Sequence, residues 1–329
     1  MKKRILFVHN SNPSFVQIDR TILAERYEIE DLRQPGRIPN PLRVIRGVAR
    51  ADLVFGWWAS WHTFLPFTLA WLVRKPSVLI VGGFDTANMP EIGFGYQIGG
   101  LRRHASRWIM RRSKRLVTFS HFSLGEIERN TPISPTRVTV VHLGVPDSFG
   151  EPAGSKEREA LTVGGVNERT LVQKGQLAFV QAAAELPDVR FTLAGAWLDD
   201  SVERLRDLAA ENVLLTGWLS QDELEAGYRR AAVYVQASRH EGFGLAVAEA
   251  MLAGCVPVVM NATAMPEVVG DAGVLIESQR AEDVAAGVRR ALELGAEGGL
   301  RARERILGSF PMERRREGIL GVVEEALHG

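Results

Sequence analysis

Along the first half of the chain, short apolar runs alternate with longer stretches whose apolar positions recur at helical spacing. Arg4-Ile-Leu-Phe-Val-His9 reads as a strand, a helix follows over about 14–26, and further strands are predicted near 27–32, 53–57, 77–82, 115–119 and 137–142. A turn-rich segment, Leu143 to Gly154, then reads as a linker or hinge. Beyond it the alternation resumes, with strands predicted near 160–164, 190–194, 213–216, 233–237, 256–260 and 273–276. Strand-helix-strand alternation implies parallel sheets with right-handed crossovers. The expected fold class is therefore α/β, with two doubly wound, Rossmann-like domains over 1–150 and 151–310. A C-terminal helix at 311–329 is open to returning to the N-terminal domain. Ligands of such sheets bind at the carboxyl ends of the strands, so the chemistry is expected in a cleft that the two domains face.

The 329-residue length suits two such domains, and 46% hydrophobic with 24% charged residues is an ordinary globular composition. One cysteine, Cys255, cannot form an internal disulfide, which suits a reducing, cytoplasmic setting. The apolar run after the basic start, Ile5 to Val8, is too short for a signal peptide. Leu53 to Val73 holds no Asp, Glu, Lys or Arg over 21 residues. It divides more naturally into a strand and a helix, 60–73, than into a membrane span. The net charge of +1 conceals an asymmetry: residues 1–150 carry 21 Lys and Arg against 11 Asp and Glu, and the remainder 19 against 28. A basic N-terminal half suits either an anionic partner, such as a lipid surface or charged acceptor, or attraction to the acidic half. Leu101 to Arg115, with eight basic or histidine positions around Trp108, is a solvated helix face or a patch for an anionic membrane.

Candidate chemistry concentrates in Glu241-Gly-Phe-Gly-Leu-Ala-Val-Ala-Glu249, an E-x7-E segment that follows a strand and opens a helix. Without Cβ atoms, Gly242 and Gly244 let backbone N–H groups approach a phosphate at a helix N-terminus. Glu249 is the only charge between Gly242 and Pro266, in a helix apolar on every side. An ionised carboxylate there can accept two ribose hydroxyls, and Glu241 would face the sugar. The alternative keeps Glu241 on the surface and pairs Glu249 with Arg239 or His240. No G-x-G-x-x-G follows a strand and no Walker A loop is present, which removes dehydrogenase and P-loop readings.

Ala237-Ser-Arg-His-Glu-Gly-Phe-Gly244, Glu249-Ala-Met-Leu-Ala-Gly-Cys-Val-Pro-Val259 and Pro266-Glu-Val-Val-Gly-Asp-Ala-Gly273 resemble the donor-binding region of the GT4 glycosyltransferases, most closely over about 160–280. The resemblance implies a GT-B fold, an N-terminal acceptor domain and a C-terminal donor domain. It also implies a retaining transfer of a hexosyl-type sugar from a UDP- or GDP-sugar, with no metal and no other cofactor. Donor contacts carried over are Asn167, Arg169, Lys174, Gly195, Gly217, Gly242, Phe243, Gly244, Leu245 and Glu249. Lys174, read as the start of a helix, would grip the diphosphate. Asn167 or Arg169 would replace the arginine that the family usually has where this chain has Gly165. Gly195 and Gly217 would meet the base, or serve only as turns. The catalytic set is Glu241, Lys174 and Asp85. Asp85 follows the strand at 77–82 in a loop where relatives often carry histidine, and it either meets the acceptor or caps the turn. Asn10 and Ser11, with Asp85, are the acceptor-side candidates, with a plain turn as the alternative. No D-x-D pair occurs, so protein cations would take the metal's place. Expected partners are a nucleotide sugar, an unknown acceptor and an anionic membrane at its inner face, without nucleic acid. A GT-B epimerase and a non-catalytic nucleotide-sugar binder remain the rival readings.

Overall fold

The computed structural model describes residues 2–35, 40–151 and 155–328; the end of the predicted linker, 152–154, lies outside them. The chain divides into two compact units, Met1–Gly144 with Met312–Gly329, and Val145–Pro311.

The first unit is a six-stranded parallel sheet of β1 (Arg4–His9), β2 (Glu28–Arg33), β3 (Leu53–Trp57), β4 (Ser77–Ile80), β5 (Arg115–Thr118) and β6 (Val138–Val140), in the order β2-β1-β3-β4-β5-β6. The strand order therefore reverses between β1 and β3. Helices α1 (Ser14–Arg26), α2 (Pro41–Arg50), α3 (Trp61–Leu72), α4 (Gly100–Arg112) and α5 (His121–Asn130) connect the strands. Strands buried on both faces read as continuous apolar runs, and β1, β3 and β4 do so: Ile5 to Val8, Leu53 to Phe55 and Val78 to Ile80 are all inaccessible.

The second unit holds β7 (Glu157–Val163), β8 (Arg190–Ala194), β9 (Val213–Gly217), β10 (Ala231–Gln236), β11 (Val256–Met260) and β12 (Val274–Ile276). Their order is β12-β11-β10-β7-β8-β9, again all parallel. This is the dinucleotide-binding order, reversing between β7 and β10. Its helices are α6 (Glu168–Gln173), α7 (Gln176–Ala182), α8 (Val202–Leu208), α9 (Gln221–Arg230), α10 (Leu245–Leu252), α11 (Met265–Val269) and α12 (Ala281–Ser309), the last broken at Gly295. Strand β7 begins earlier than its apolar run predicts, because Glu159 is buried as part of it. Arg230 holds that carboxylate at 2.5 and 3.0 Å, and the Thr192 hydroxyl donates to it at 2.6 Å.

The final helix, α13 (Met312–His328), belongs to the first unit. Arg315 on it is fully buried and donates to both oxygens of buried Asp19 on α1, at 2.9 and 2.7 Å, and to the carbonyl of Val141 at 2.6 Å. Gly318 sits where a Cβ would come within 2.4 Å of the Val141 side chain, so the helix lies close against the end of β6. Removing one member of a buried ion pair leaves the other charge uncompensated. Arg315→Ala is therefore expected to cost about 3–5 kcal/mol of stability in urea unfolding. A loss below 1 kcal/mol would show that the pair does not hold this helix.

Candidate nucleotide-sugar site

In the second unit the loops after β7 and β10 adjoin at the reversal of strand order, where doubly wound sheets take their ligands. The first of them leads into α6, and Asn167 is its cap. The Asn167 side chain accepts from the Thr170 N–H at 3.0 Å, while the Thr170 hydroxyl accepts from the Asn167 N–H at 2.8 Å. This reciprocal cap starts a helix that the sequence pattern did not reveal, and it corrects the position of Lys174. Lys174 does not begin a helix. It closes α6 as its C-cap, where the helix dipole favours a cation, and Gly175 breaks the chain before α7.

Gly175 adopts φ +72°, and a Cβ on it would lie 2.4 Å from the carbonyl oxygen of Ala237 in the loop after β10. The Arg239 N–H donates to the Gln173 carbonyl at 2.8 Å, fastening the same two loops. Across this join Lys174 Nζ meets Glu241 Oε1 at 2.5 Å, with the two side chains 29% and 19% exposed. Glu241 is thus a paired, half-buried group, and its carboxylate also accepts from Gln236 Nε2 at 3.4 Å. Arg169 lies on the exposed first turn of α6.

The third and fourth loops bring glycines to the same edge of the sheet. Gly195, at φ +156°, would place a Cβ 2.1 Å from the Gly164 carbonyl oxygen, so no side chain fits. Its N–H donates to the Gly217 carbonyl at 2.8 Å, and Gly217 itself takes φ +75°. These turns are packed against each other, with Trp197 at ordinary contact distance from the Gly217 position.

Gly244 caps α10 in the left-handed region, φ +94°, and Leu245 is the helix's first residue. Gly242 lies in the half-exposed turn before it. The Phe243 side chain does not line this turn: it is buried edge-on against Phe310, with ring centroids 5.2 Å apart. Any donor contact by Phe243 therefore falls to its backbone. Glu249, on α10, is half-buried and receives a long hydrogen bond from the Tyr228 hydroxyl at 3.5 Å. Among the described residues it pairs with no arginine, and Arg239 donates instead to Gln279 at 2.7 Å. Burial raises the Glu249 carboxyl from 4.5 to about 7, partly offset by Tyr228 and reinforced by the charge of Glu225.

In the first unit, Asp85 takes the turn-capping alternative. The side chain is 1% exposed, and its two oxygens accept the backbone N–H groups of Ala59 at 2.9 Å and Gly82 at 3.0 Å. Both oxygens are occupied in holding the loops after β3 and β4 together, so the carboxylate is turned inward. Burial raises it from 3.8 to about 7, against the lowering by those two amides. Asn10 and Ser11 do stand half-exposed at the carboxyl end of β1, beside the reversal in strand order. His9 fixes that turn by bonding the Ser11 carbonyl and Asp31, each at 2.7 Å.

Several contributors were not singled out in the sequence. Gln176 holds the turn after β7 through the carbonyls of Gly164 and Gly165, and Gln279 ties the Val172 and Ala237 carbonyls together. Tyr228 reaches Glu249 from α9. Their signal was weak: each is a single polar residue in a helix or loop whose partner is distant in sequence.

Residues 157–294 match the family model described as Glycosyl transferases group 1. The match lies within the second unit. Among similar proteins, O-antigen chain mannosyltransferase B of Escherichia coli is 29% identical over 55% of this chain and 52% of that protein. Glycogen synthase of Mycobacterium tuberculosis is 29% identical over 74% of this chain and 64% of that protein. The chain thus spans between half and two thirds of the length of these relatives. Sucrose-phosphate synthase from Thermosynechococcus elongatus superposes with a TM-score of 0.78 at 16% identity, covering 99% of each chain. Anabaena HepE in complex with UDP and glucose does so with a TM-score of 0.76 at 16% identity, covering 97% of this chain and 99% of that one. The fold is that of the GT-B glycosyltransferases.

A carboxyl group whose pKa rises on folding keeps its proton longer in the folded chain, so it lowers stability as pH rises through the interval between the two values. Glu249 and Asp85 both act in this sense, from about 4 to about 7. Glu249→Gln should therefore flatten part of the decline in Tm between pH 4.5 and 7. Parallel profiles for wild type and variant would exclude a protonated Glu249.

Proposed function

We propose that the protein is a retaining, metal-independent glycosyltransferase that takes a hexosyl-type sugar from a UDP- or GDP-sugar. The observation that carries this reading is the Lys174–Glu241 ion pair at the strand-order reversal of the unit that contains the group 1 glycosyl transferase match. A diphosphate entering beside it would meet three sources of positive potential: Lys174, Arg169 and the α10 N-terminus at Gly244. Breaking the anomeric C–O bond sends its electron pair to the diphosphate oxygen. Fixed cations there stabilise the growing charge without reorganisation. The acceptor hydroxyl would attack from the face that the diphosphate leaves, and its proton would pass to the departing diphosphate. Displaced from Lys174, Glu241 becomes available to hydroxyls of the sugar. Glu249 would accept the ribose hydroxyls, with the turns at Gly195 and Gly217 beside the base. Asn10 and Ser11 are the candidates for acceptor contact. Asp85 acts as a positioning residue for the loops after β3 and β4.

The base and sugar are left open by the similar proteins, whose names include both complexes with UDP and an α-mannosyltransferase using GDP-mannose. Product analysis with each nucleotide sugar separates transfer from epimerisation and from binding alone.

Glu249→Ala should weaken nucleoside diphosphate binding by about 1–3 kcal/mol, because a half-buried acceptor of hydroxyl hydrogen bonds is lost. Calorimetry giving unchanged affinity in the folded variant would exclude the ribose role.

Lys174→Ala should lower kcat/KM on the order of a hundredfold or more while leaving nucleoside binding nearly unchanged, because its charge acts where negative charge develops. Chelation by EDTA should leave activity intact. Abolition by EDTA with restoration by Mg²⁺ or Mn²⁺ would overturn the metal-independent mechanism.

A further inference from the structure

Helix α3 is an unusual surface element. It contains no charged residue, and its outer side carries Trp61, Phe64, Leu65, Thr68 and Leu72 at helical spacing, all exposed or half-exposed. A surface helix normally turns a polar face outward. Here the run ends in Trp71, Leu72 and Val73, which are 47%, 61% and 55% exposed. Contiguous exposed apolar surface of this kind marks a place of contact.

Helix α4 packs beside α3 and extends the same surface. Its outward positions are Leu101, His104, Trp108 and Arg111, spaced along one face. Trp108 stands between the helices, its ring 6.4 Å from both Phe64 and Trp71, with its indole N–H donating to Thr68 at 3.1 Å. The Arg112 guanidinium lies over the rings of both Trp71 and Trp108. Indoles joined to guanidinium groups suit a boundary between apolar and polar media.

Charge identifies the medium. No Asp or Glu occurs between Asp52 and Asp85, nor between Glu91 and Glu126, the two intervals that contain these helices. Arg107 and Arg115 are engaged within the fold, by Gln97 and Asn130 and by Glu325 respectively. Arg102 and Arg111 remain outward and exposed. Arg102, Arg103 and His104 also crowd the first turn of α4, where the helix dipole opposes cations unless an anion lies nearby. A second copy presenting this face across a two-fold axis would set cation against cation. Nucleic acid offers nothing to Leu72, Val73 and Leu101. An anionic bilayer suits both features, taking the aliphatic and indole groups at shallow depth and pairing the arginines with headgroup phosphates.

We propose that the outer face of α3 and α4 is a docking surface for an anionic membrane. Among the described residues no helix is long and apolar enough to cross one.

The test is flotation of the full chain with vesicles of phosphatidylcholine alone or with phosphatidylglycerol, at low and high salt. Binding is expected only to the anionic vesicles and should fall with salt. Arg102→Glu with Arg111→Glu, and separately Trp71→Ser with Leu72→Ser, should each lower the partition constant on the order of tenfold or more. Both sites are exposed, and an unchanged Tm checks the fold. With wild-type protein, brominated anionic lipid should quench tryptophan emission. Three results would overturn the proposal: no flotation of the wild type, variants that bind as well as the wild type, or self-association lost in the variants while vesicles are ignored. Nucleoside diphosphate binding in solution should be the same in all these proteins, which separates this surface from the donor site.

Discussion

A side chain cannot be accommodated at position 175, and the candidate site depends on that exclusion. Gly175 is pressed against the Ala237 backbone in a left-handed conformation. The contact draws the end of α6 onto the loop after β10, and only then can a lysine at residue 174 reach a glutamate at residue 241. Two loops far apart in sequence become one surface through backbone contact. The cation and the acid are the visible result. Gly195 against Gly164 repeats the device one strand further along, where two backbones touch because neither carries a Cβ. The site is therefore preorganised by backbone packing, which suits a reaction whose catalysis is mainly electrostatic.

Much of the fold was legible because strands buried on both faces leave uninterrupted apolar runs; β3, β8 and β11 fall on the residues expected from those runs alone. The pattern misplaced boundaries where a polar residue was buried with a distant partner. Glu159 lay just before the expected start of its strand, yet Arg230, at the end of α9, carries it into the sheet. Helix α6 was missed for a related reason: six residues are too few for a periodicity, and only the reciprocal bonds of Asn167 and Thr170 announce it. At the candidate site, residue types and spacing singled out the segment 241–249 but not the burial of individual side chains. Phe243 turned inward, and Asp85 was occupied by two amides; neither orientation is encoded by local spacing.

The Lys174–Glu241 pair also explains how two half-buried charges persist at the join of these loops. A lone half-buried lysine would be disfavoured, and so would a lone carboxylate among Tyr234, Gln236 and Ser238. Each offsets the other. In the proposed mechanism the same attraction would set a threshold, since an entering diphosphate would have to interact with Lys174 better than Glu241 does.

The location of Arg315 has a consequence for the birth of the protein. Its buried partner, Asp19, lies in a segment translated early, and all of Val145–Pro311 is translated between them. The second unit is continuous in sequence and can fold on the ribosome as soon as it emerges. The first cannot complete its core until α13 arrives, so a carboxylate destined for burial waits without its counter-charge through the synthesis of an entire domain. The N-terminal part of the chain is thus the last to finish, and during elongation it is the part most dependent on remaining open to water.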